Sequence, residues 1–380
     1  MMHPAREADV MVIGAGPAGL AVSRELRKRR VDHLVIERGE IGQSWRRYYD
    51  GLVLHTGRHL SSLPGRPFRR SDPMFVTRDR FVRYLAEYAV AMDLPVETGA
   101  TVTSVRRQGD RWVLEIAGGG DSVGEPLRCR VLIVATGIAA SPFVPDLPGR
   151  EAFTGRIRHS IDYHRPEAFA GRRVLVVGAG NSGGEIAAEL AAVAAPVSIS
   201  IRSGVVVVPR EIAGIPSQYI GMLVRRLPRA LAGPIVAAGT RRRMRSLPAS
   251  LPRSSASPLD EVPLIGMHLP DAITAGTVVV RPGVIGFTPT TVRFVDGSEA
   301  AFDEVILATG FRAALDPLAG IVTRDARGFA RRNDRVVSAE QPDLYFVGHE
   351  YDASGGIANI RHDAPLAARL VAARLRTARP

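Results

Sequence analysis

Arg172-Arg-Val-Leu-Val-Val-Gly178-Ala-Gly180-Asn181-Ser182-Gly183-Gly-Glu185 reads as a strand, a tight turn and the start of a helix. Val174 to Val177 is a continuous apolar run, as expected of a strand buried on both faces. Three glycines follow at fixed offsets. Gly178 permits the sharp turn, Gly180 lets a pyrophosphate approach the backbone, and Gly183 lets helix and strand pack closely. The helix, expected from about Ser182 to Ala194, then aims its N-terminus at the phosphates. This is the pattern of a dinucleotide-binding βαβ unit, although a glycine turn alone is a common feature.

The device occurs twice. Val10-Met-Val-Ile-Gly14-Ala-Gly16-Pro17-Ala18-Gly19 is again strand, turn and helix, and the strand Leu34-Val-Ile-Glu37 follows it. Glu37 lies 18 residues after Gly19, where a carboxylate accepts a hydrogen bond from a ribose 2′-hydroxyl. In the second unit Val197-Ser-Ile-Ser-Ile-Arg202 ends in a cation 19 residues after Gly183, with Ser203 beside it. A guanidinium suits a 2′-phosphate, because its fork is bidentate and always charged. The two turns are therefore expected to hold different dinucleotides, FAD in the first and NADPH in the second.

At 380 residues the chain suits two domains, and 46% apolar residues in short runs suit a globular class. No apolar run approaches the roughly 20 residues of a spanning helix, and Met1 to Asp9 carries no apolar signal region, so a cytoplasmic location is expected. Cys129 is the only cysteine, which excludes a redox dithiol. The net charge of +12 is almost all arginine, and no aromatic-basic interleaving accompanies it, so nucleic acid is not an expected partner. From Ile212 to Leu259 the chain has eight arginines and no acid. That insert, 212–260, suits a solvated cationic face or a weak peripheral contact of 225–253 with anionic lipid, without stable insertion. Oligomeric state is not indicated. The histidines show no metal-ligand spacing, and His3, His33, His268 and His362 read as surface residues.

Between the two units the periodicity predicts a helix over Thr77 to Met92, with Phe81, Tyr84, Leu85, Tyr88, Ala89 and Met92 on one face. Strands are expected at Val96–Arg106 and Arg111–Ile116, joined by Gln108-Gly-Asp110. A further strand, Val131 to Ala135, ends in Thr136-Gly137, and Val305 to Ala308 ends likewise in Thr309-Gly310. Pro142 to Pro148 reads as a linker. Leu344 to Gly348 is a strand, and Ile357 to Leu375 a closing helix. The fold class is therefore α/β with two Rossmann-type domains, the second inserted into the first. Residues 1–150 and 305–380 form the expected FAD domain, and 151–304 the NADPH domain.

Phe153, Gly155, His159 and Tyr163, flanked by the two glycine turns, resemble the fingerprint of the flavin-containing monooxygenases. Tyr49-Asp50-Gly-Leu52-Val-Leu54-His55, Arg172 to Gly183, Arg202-Ser203 and Val208-Pro209-Arg210-Glu211 resemble its YUCCA-type indole-3-pyruvate monooxygenase branch, and Ala308-Thr309-Gly310-Phe311 resembles the second Ala-Thr-Gly motif of the family. Departures exist. Gln43 stands where many relatives have glycine, and Val262-Pro263-Leu264-Ile265-Gly266 replaces a Thr-Pro-Val-Leu-Asp pattern. The resemblance implies reduction of FAD by NADPH, addition of O2 to give a flavin C4a-hydroperoxide, and insertion of one oxygen atom into a small organic substrate, at nitrogen, sulfur or a carbonyl or 2-oxo acid carbon. His55 and Asn181 are the candidate catalytic groups, His55 with a purely structural role as the alternative. Arg38, Gln43, Ser44, Trp45, Thr136, Gly137, Thr309, Gly310 and Gly348 join the turn residues as cofactor contacts. Gly355-Gly356 and the helix after it would point positive dipole at the flavin pyrimidine edge. An NADPH oxidase or flavin reductase without organic substrate is the alternative function.

Overall fold

A computed structural model describes residues 7–118, 126–228, 246–254, 262–352 and 355–377. His3 and most of the expected peripheral segment 225–253 lie outside them. Two sheets dominate. The first runs Val96–Glu97, His33–Ile36, Glu7–Ile13, Leu127–Val134, Arg111–Gly118, Ala100–Gln108, and Leu344–Phe346 also pairs with Leu127–Val134. The second is wholly parallel, in the order Arg156–His159, Glu304–Leu307, Val174–Val177, Val197–Ser200, Val278–Arg281.

The long strand Leu127–Val134 changes partner along its length. Its first half pairs antiparallel with Trp112–Leu114, and its last residues, Leu132–Val134, pair in parallel with Leu344–Phe346. Val10, Val12, Val131 and Ile133 pack beneath the helices Pro17–Lys28, Arg78–Ala91 and Gly356–Thr377. Met11, Ile13, Leu132 and Val134 face the hairpin and residues 313–330. Alternate side chains thus serve opposite faces of one sheet, which explains the unbroken apolar runs. The amphipathic helix spans Arg78–Ala91 with Thr77 as its N-cap, and Phe81, Tyr84, Leu85, Tyr88 and Ala89 are buried.

Three expectations need correction. The strand expected over Val96–Arg106 is two strands, because Gly99 takes φ +76° and turns the chain. Val96 pairs with Val35 on the parallel edge, while Ala100–Gln108 makes the hairpin with Arg111–Gly118. His33 is buried, not a surface residue, with its ring Nε2 2.8 Å from Ser23 Oγ and Nδ1 2.9 Å from the Val31 carbonyl. Glu304–Leu307 lies in the second sheet, between Arg156–His159 and Val174–Val177. The second layer therefore extends through Leu307, past the expected boundary at 305.

The two segments that pass between the sheets are bound to each other. Ser141-Pro142 pairs antiparallel with Phe311-Arg312. The Thr136 hydroxyl donates to the Ala314 carbonyl at 2.7 Å, and the Thr309 hydroxyl donates to the Phe143 carbonyl at 2.5 Å. His159 braces the same place. Its Nδ1 accepts from the Ile161 N–H at 3.2 Å, so Nε2 carries the proton and donates to the Gly310 carbonyl at 3.0 Å. Among the described residues no helix is long and apolar enough to cross a membrane.

Candidate active site

The two glycine turns are built alike. Gly14 takes φ +103° and Gly178 φ +105°, conformations that favour glycine. A Cβ on Gly14 would lie 2.7 Å from the Ala135 carbonyl oxygen, and one on Gly178 would lie 2.6 Å from that of Ala308. Gly14 N–H donates to the Ile36 carbonyl at 2.8 Å, and Gly178 N–H to that of Ser200 at 2.9 Å. A Cβ on Gly19 would lie 1.8 Å from the Gly14 oxygen, and one on Gly183 would lie 1.9 Å from that of Gly178. The third strand of each trio runs into Ala-Thr-Gly, so the repeated signal in the sequence marks a repeated structure.

Gly16 and Gly180 differ from these four. Neither has any atom within 4 Å of where a Cβ would stand. Each glycine therefore borders open space at a helix N-terminus, which is the room and the polarity a pyrophosphate requires. The first turn opens into a cleft of about 500 Å³ lined by Gly14, Gly16, Pro17, Ala18, Glu37, Ser44, Trp45, His55, Thr136, Gly137, Gly310 and Gly348. Glu37 is buried at its edge, accepting from the Ala15 N–H at 2.7 Å and the Gly39 N–H at 3.0 Å. From the second unit Asn181 and Ser182 reach the same cleft. These residues fit a flavin dinucleotide in the first turn facing a nicotinamide carried by the second.

Other expected residues stand outside the cleft. Arg38 and Gln43 line an adjoining open hollow with Arg47, Thr98 and Gly99. Gly19, Gly178, Gly183 and Thr309 shape backbone around the turns. Arg202 and Ser203 are exposed just beyond the strand Val197–Ser200, and Arg202 has no ion-pair partner among the described residues. Asn181, which lines the cleft, also holds backbone. Its Nδ2 donates to the Pro263 carbonyl at 3.1 Å, and its Oδ1 accepts from the Ile265 N–H at 2.7 Å. Both ends of the amide are thus engaged by one segment of backbone.

The family model described as "Flavin-binding monooxygenase-like" matches residues 7–325. The chain belongs to the flavin-binding monooxygenase family. The monooxygenase is 36% identical over 315 residues to the indole-3-pyruvate monooxygenase YUCCA1 of Oryza sativa subsp. japonica, covering 80% of this chain and 76% of that one. A flavin-containing monooxygenase from Stenotrophomonas maltophilia superposes with TM-score 0.76 at 26% identity, over 97% of this chain and 99% of that one. A bacillithiol disulfide reductase from Staphylococcus aureus shares the fold, with TM-score 0.71 at 18% identity over 97% and 99% of the two chains. In the monooxygenase the sole cysteine, Cys129, is fully buried, and burial pushes its thiol up to about 12.

Behind His55 this monooxygenase holds a buried polar group that sequence reading did not find. Glu185 accepts from the Tyr49 hydroxyl at 2.5 Å and from Arg210 Nη2 at 3.2 Å, and its Oε1 lies 3.5 Å from His55 Nε2. The distance to His55 is that of an ion pair, but the charges are not. Burial, with Arg210 and His268 nearby, lowers the imidazole to about 4, so it is neutral near pH 7. Burial raises the Glu185 carboxyl to about 7, against the downward pull of Tyr49 and Arg210. The available signal was spacing: Glu185 follows Asn181 by four residues, and so shares its helix face.

The raised carboxyl has a consequence for stability. A group with a raised folded-state value contributes stability that is full below its ordinary value of 4.5 and is lost as pH rises through about 7. The rise of the Glu185 carboxyl to about 7 corresponds to roughly 3 kcal/mol. Relative to Glu185→Gln, the wild type is therefore expected to lose on the order of 3 kcal/mol over that window. Urea unfolding of both proteins at several pH values measures this, and parallel pH profiles would refute the burial argument.

Proposed function

We propose that the chain is an FAD- and NADPH-dependent monooxygenase that inserts one atom of O2 into a small organic substrate. The observation that carries this reading is the pair of like-built turns, one opening into the cleft and the other sending Asn181 and Ser182 into it. When bound and reduced by NADPH, the flavin supplies the activation of O2. Gly14, Gly16, Pro17, Ala18 and Gly19, with Glu37, would hold its pyrophosphate and ribose. Gly178, Gly180 and Gly183 would hold the nicotinamide dinucleotide, with Arg202 and Ser203 at the 2′-phosphate. The described residues within 7–150 and 308–377 form the flavin layer in this reading, and those within 151–307 the nicotinamide layer.

The remaining work of the protein is to exclude water and to place hydrogen bonds. Leu52, Leu54, Ile265 and Phe311 line the cleft, apolar surface that would help exclude water from the reacting centre. His55 enters it as a neutral imidazole, able to donate or accept without adding charge. Loss of such a group should leave flavin reduction intact but weaken control of the oxygen step. His55→Ala is expected to divert a larger share of NADPH to hydrogen peroxide, several-fold above wild type. Peroxide assay against NADPH consumed measures it, and an unchanged ratio returns His55 to a structural role.

The overall reading is tested with purified protein, NADPH and a panel of amines, sulfides, ketones and 2-oxo acids under ¹⁸O2. Indole-3-pyruvate belongs in the panel because relatives act on it by name. One labelled oxygen per product molecule is expected with at least one class. Peroxide equal to NADPH consumed across the whole panel would favour an oxidase.

A further inference from the structure

The cleft wall at Val262, Pro263 and Ile265 is held in an unusual way. Leu264 and Gly266 donate their N–H groups to the Val206 and Val208 carbonyls, at 2.9 and 2.8 Å. Ile265 N–H points to the other edge, where another strand would normally receive it. Here the receiver is Asn181 Oδ1 at 2.7 Å, while Asn181 Nδ2 donates to the Pro263 carbonyl at 3.1 Å. One side-chain amide therefore acts as a single rung of sheet. The segment is seated further by Leu264, which packs over Gly184 so closely that a Cβ there would lie 2.8 Å from Leu264 Cδ1. It ends at Gly266, whose φ of +109° favours glycine. Val262, Pro263 and Ile265 line the cleft, as do the apolar Leu52, Leu54 and Phe311 and the polar His55 and Gln218.

We propose that Val262–Gly266 is the substrate-selecting wall of the cleft and that Asn181 is its positioning residue, so that the substrate presents an apolar face to a surface carried on the nicotinamide-binding helix. The inference rests on the monooxygenase reading for what the substrate is used for, but the wall and its clamp are defined by their own contacts. Asn181 opens the helix Asn181–Leu190, directly after the glycine turn. The wall and the expected nicotinamide site are thus fixed to the same rigid element. A shift of that helix carries the selecting surface with it.

The experiment has a structural arm and a binding arm, both on flavin-loaded protein without NADPH. In the first, amide hydrogen exchange is resolved by residue in wild type and Asn181→Ala. Ile265 is expected to lose at least tenfold in protection, while Leu264 and Gly266, bonded to the Val206 and Val208 carbonyls, keep theirs. In the second, equilibrium dialysis measures indole as the apolar probe and glucose as the polar control. Wild type should bind indole and not glucose. Ile265→Ala should weaken indole binding by roughly 15- to 60-fold, the expected loss for two or three buried methylene equivalents. Asn181→Asp keeps the acceptor for Ile265 but lacks the donor for Pro263, so its indole affinity should fall between wild type and Asn181→Ala. Unchanged Ile265 exchange, or equal loss in the Asp and Ala variants, overturns the positioning role. Unchanged indole affinity in Ile265→Ala, or glucose bound as well as indole, overturns the wall. A failure of every panel compound to gain oxygen would instead strike the monooxygenase reading, since neither arm here depends on turnover.

Discussion

Gly16→Val should fold normally and purify without colour. The three glycines of the first turn fail differently when given side chains. At Gly14 a Cβ meets the Ala135 carbonyl at 2.7 Å and the backbone has φ +103°, and at Gly19 it meets the Gly14 oxygen at 1.8 Å. Substitution there breaks the fold. At Gly16 it meets nothing within 4 Å, and the residue borders the cleft. A valine at Gly16 therefore projects into the space assigned to the pyrophosphate. Flavin content should fall to near zero with the melting temperature of the apoprotein unchanged. Visible flavin absorbance, circular dichroism and thermal melts of both apoproteins measure this. Retained flavin would move the cofactor away from this turn, and misfolding would mean the open space is used by the protein itself.

Arg202→Ala should lower affinity for NADPH by roughly one to two orders of magnitude while changing NADH use little. Arg202 stands exposed at the end of the second strand of the second unit, without an ion-pair partner among the described residues. Its guanidinium is available to a phosphate, and removing it leaves no buried group unpaired. A hydrogen bond to a charged group contributes about 1.5–3 kcal/mol, and about 1.4 kcal/mol corresponds to tenfold. NADH has no 2′-phosphate to lose. Flavin content should stay constant, because the first turn is untouched. Rates of flavin reduction against concentration of both coenzymes provide the test. Equal losses for the two coenzymes would make Arg202 a structural residue.

The turns could be read from the sequence because their demands fall on the residue itself. Gly14 and Gly178 need a backbone conformation that other residues resist, so the requirement is written at those positions. Partner choice is not written that way. Val305 to Gly310 repeats the Ala-Thr-Gly signal of the first unit, but a parallel strand carries no mark of which sheet receives it. It joins Val174–Val177, just as Leu127–Val134 joins Glu7–Ile13. Asn181 was visible as a residue beside a nucleotide turn, yet its two partners lie 82 and 84 residues away. Glu185 was hidden for the same reason: Tyr49, 136 residues distant, is what gives it a place. Long-range contacts of side chains decide what local spacing leaves open.

The late partner of Leu127–Val134 bears on the order in which the protein can become functional. Leu344–Phe346 completes the sheet beside Leu132–Val134, and Gly348, Gly356, Ile357 and Ile360 then form part of the cleft. A ribosome that has released only the first three hundred residues has delivered both glycine turns but neither of these. The nascent chain thus displays a strand edge and an unfinished cavity until residues 344–360 emerge. Pairing across such a sequence separation is slow, and unpaired edges invite association. Flavin binding is therefore expected to require residues 344–360, and truncation near residue 340 should yield aggregation-prone protein with both turns present and no flavin.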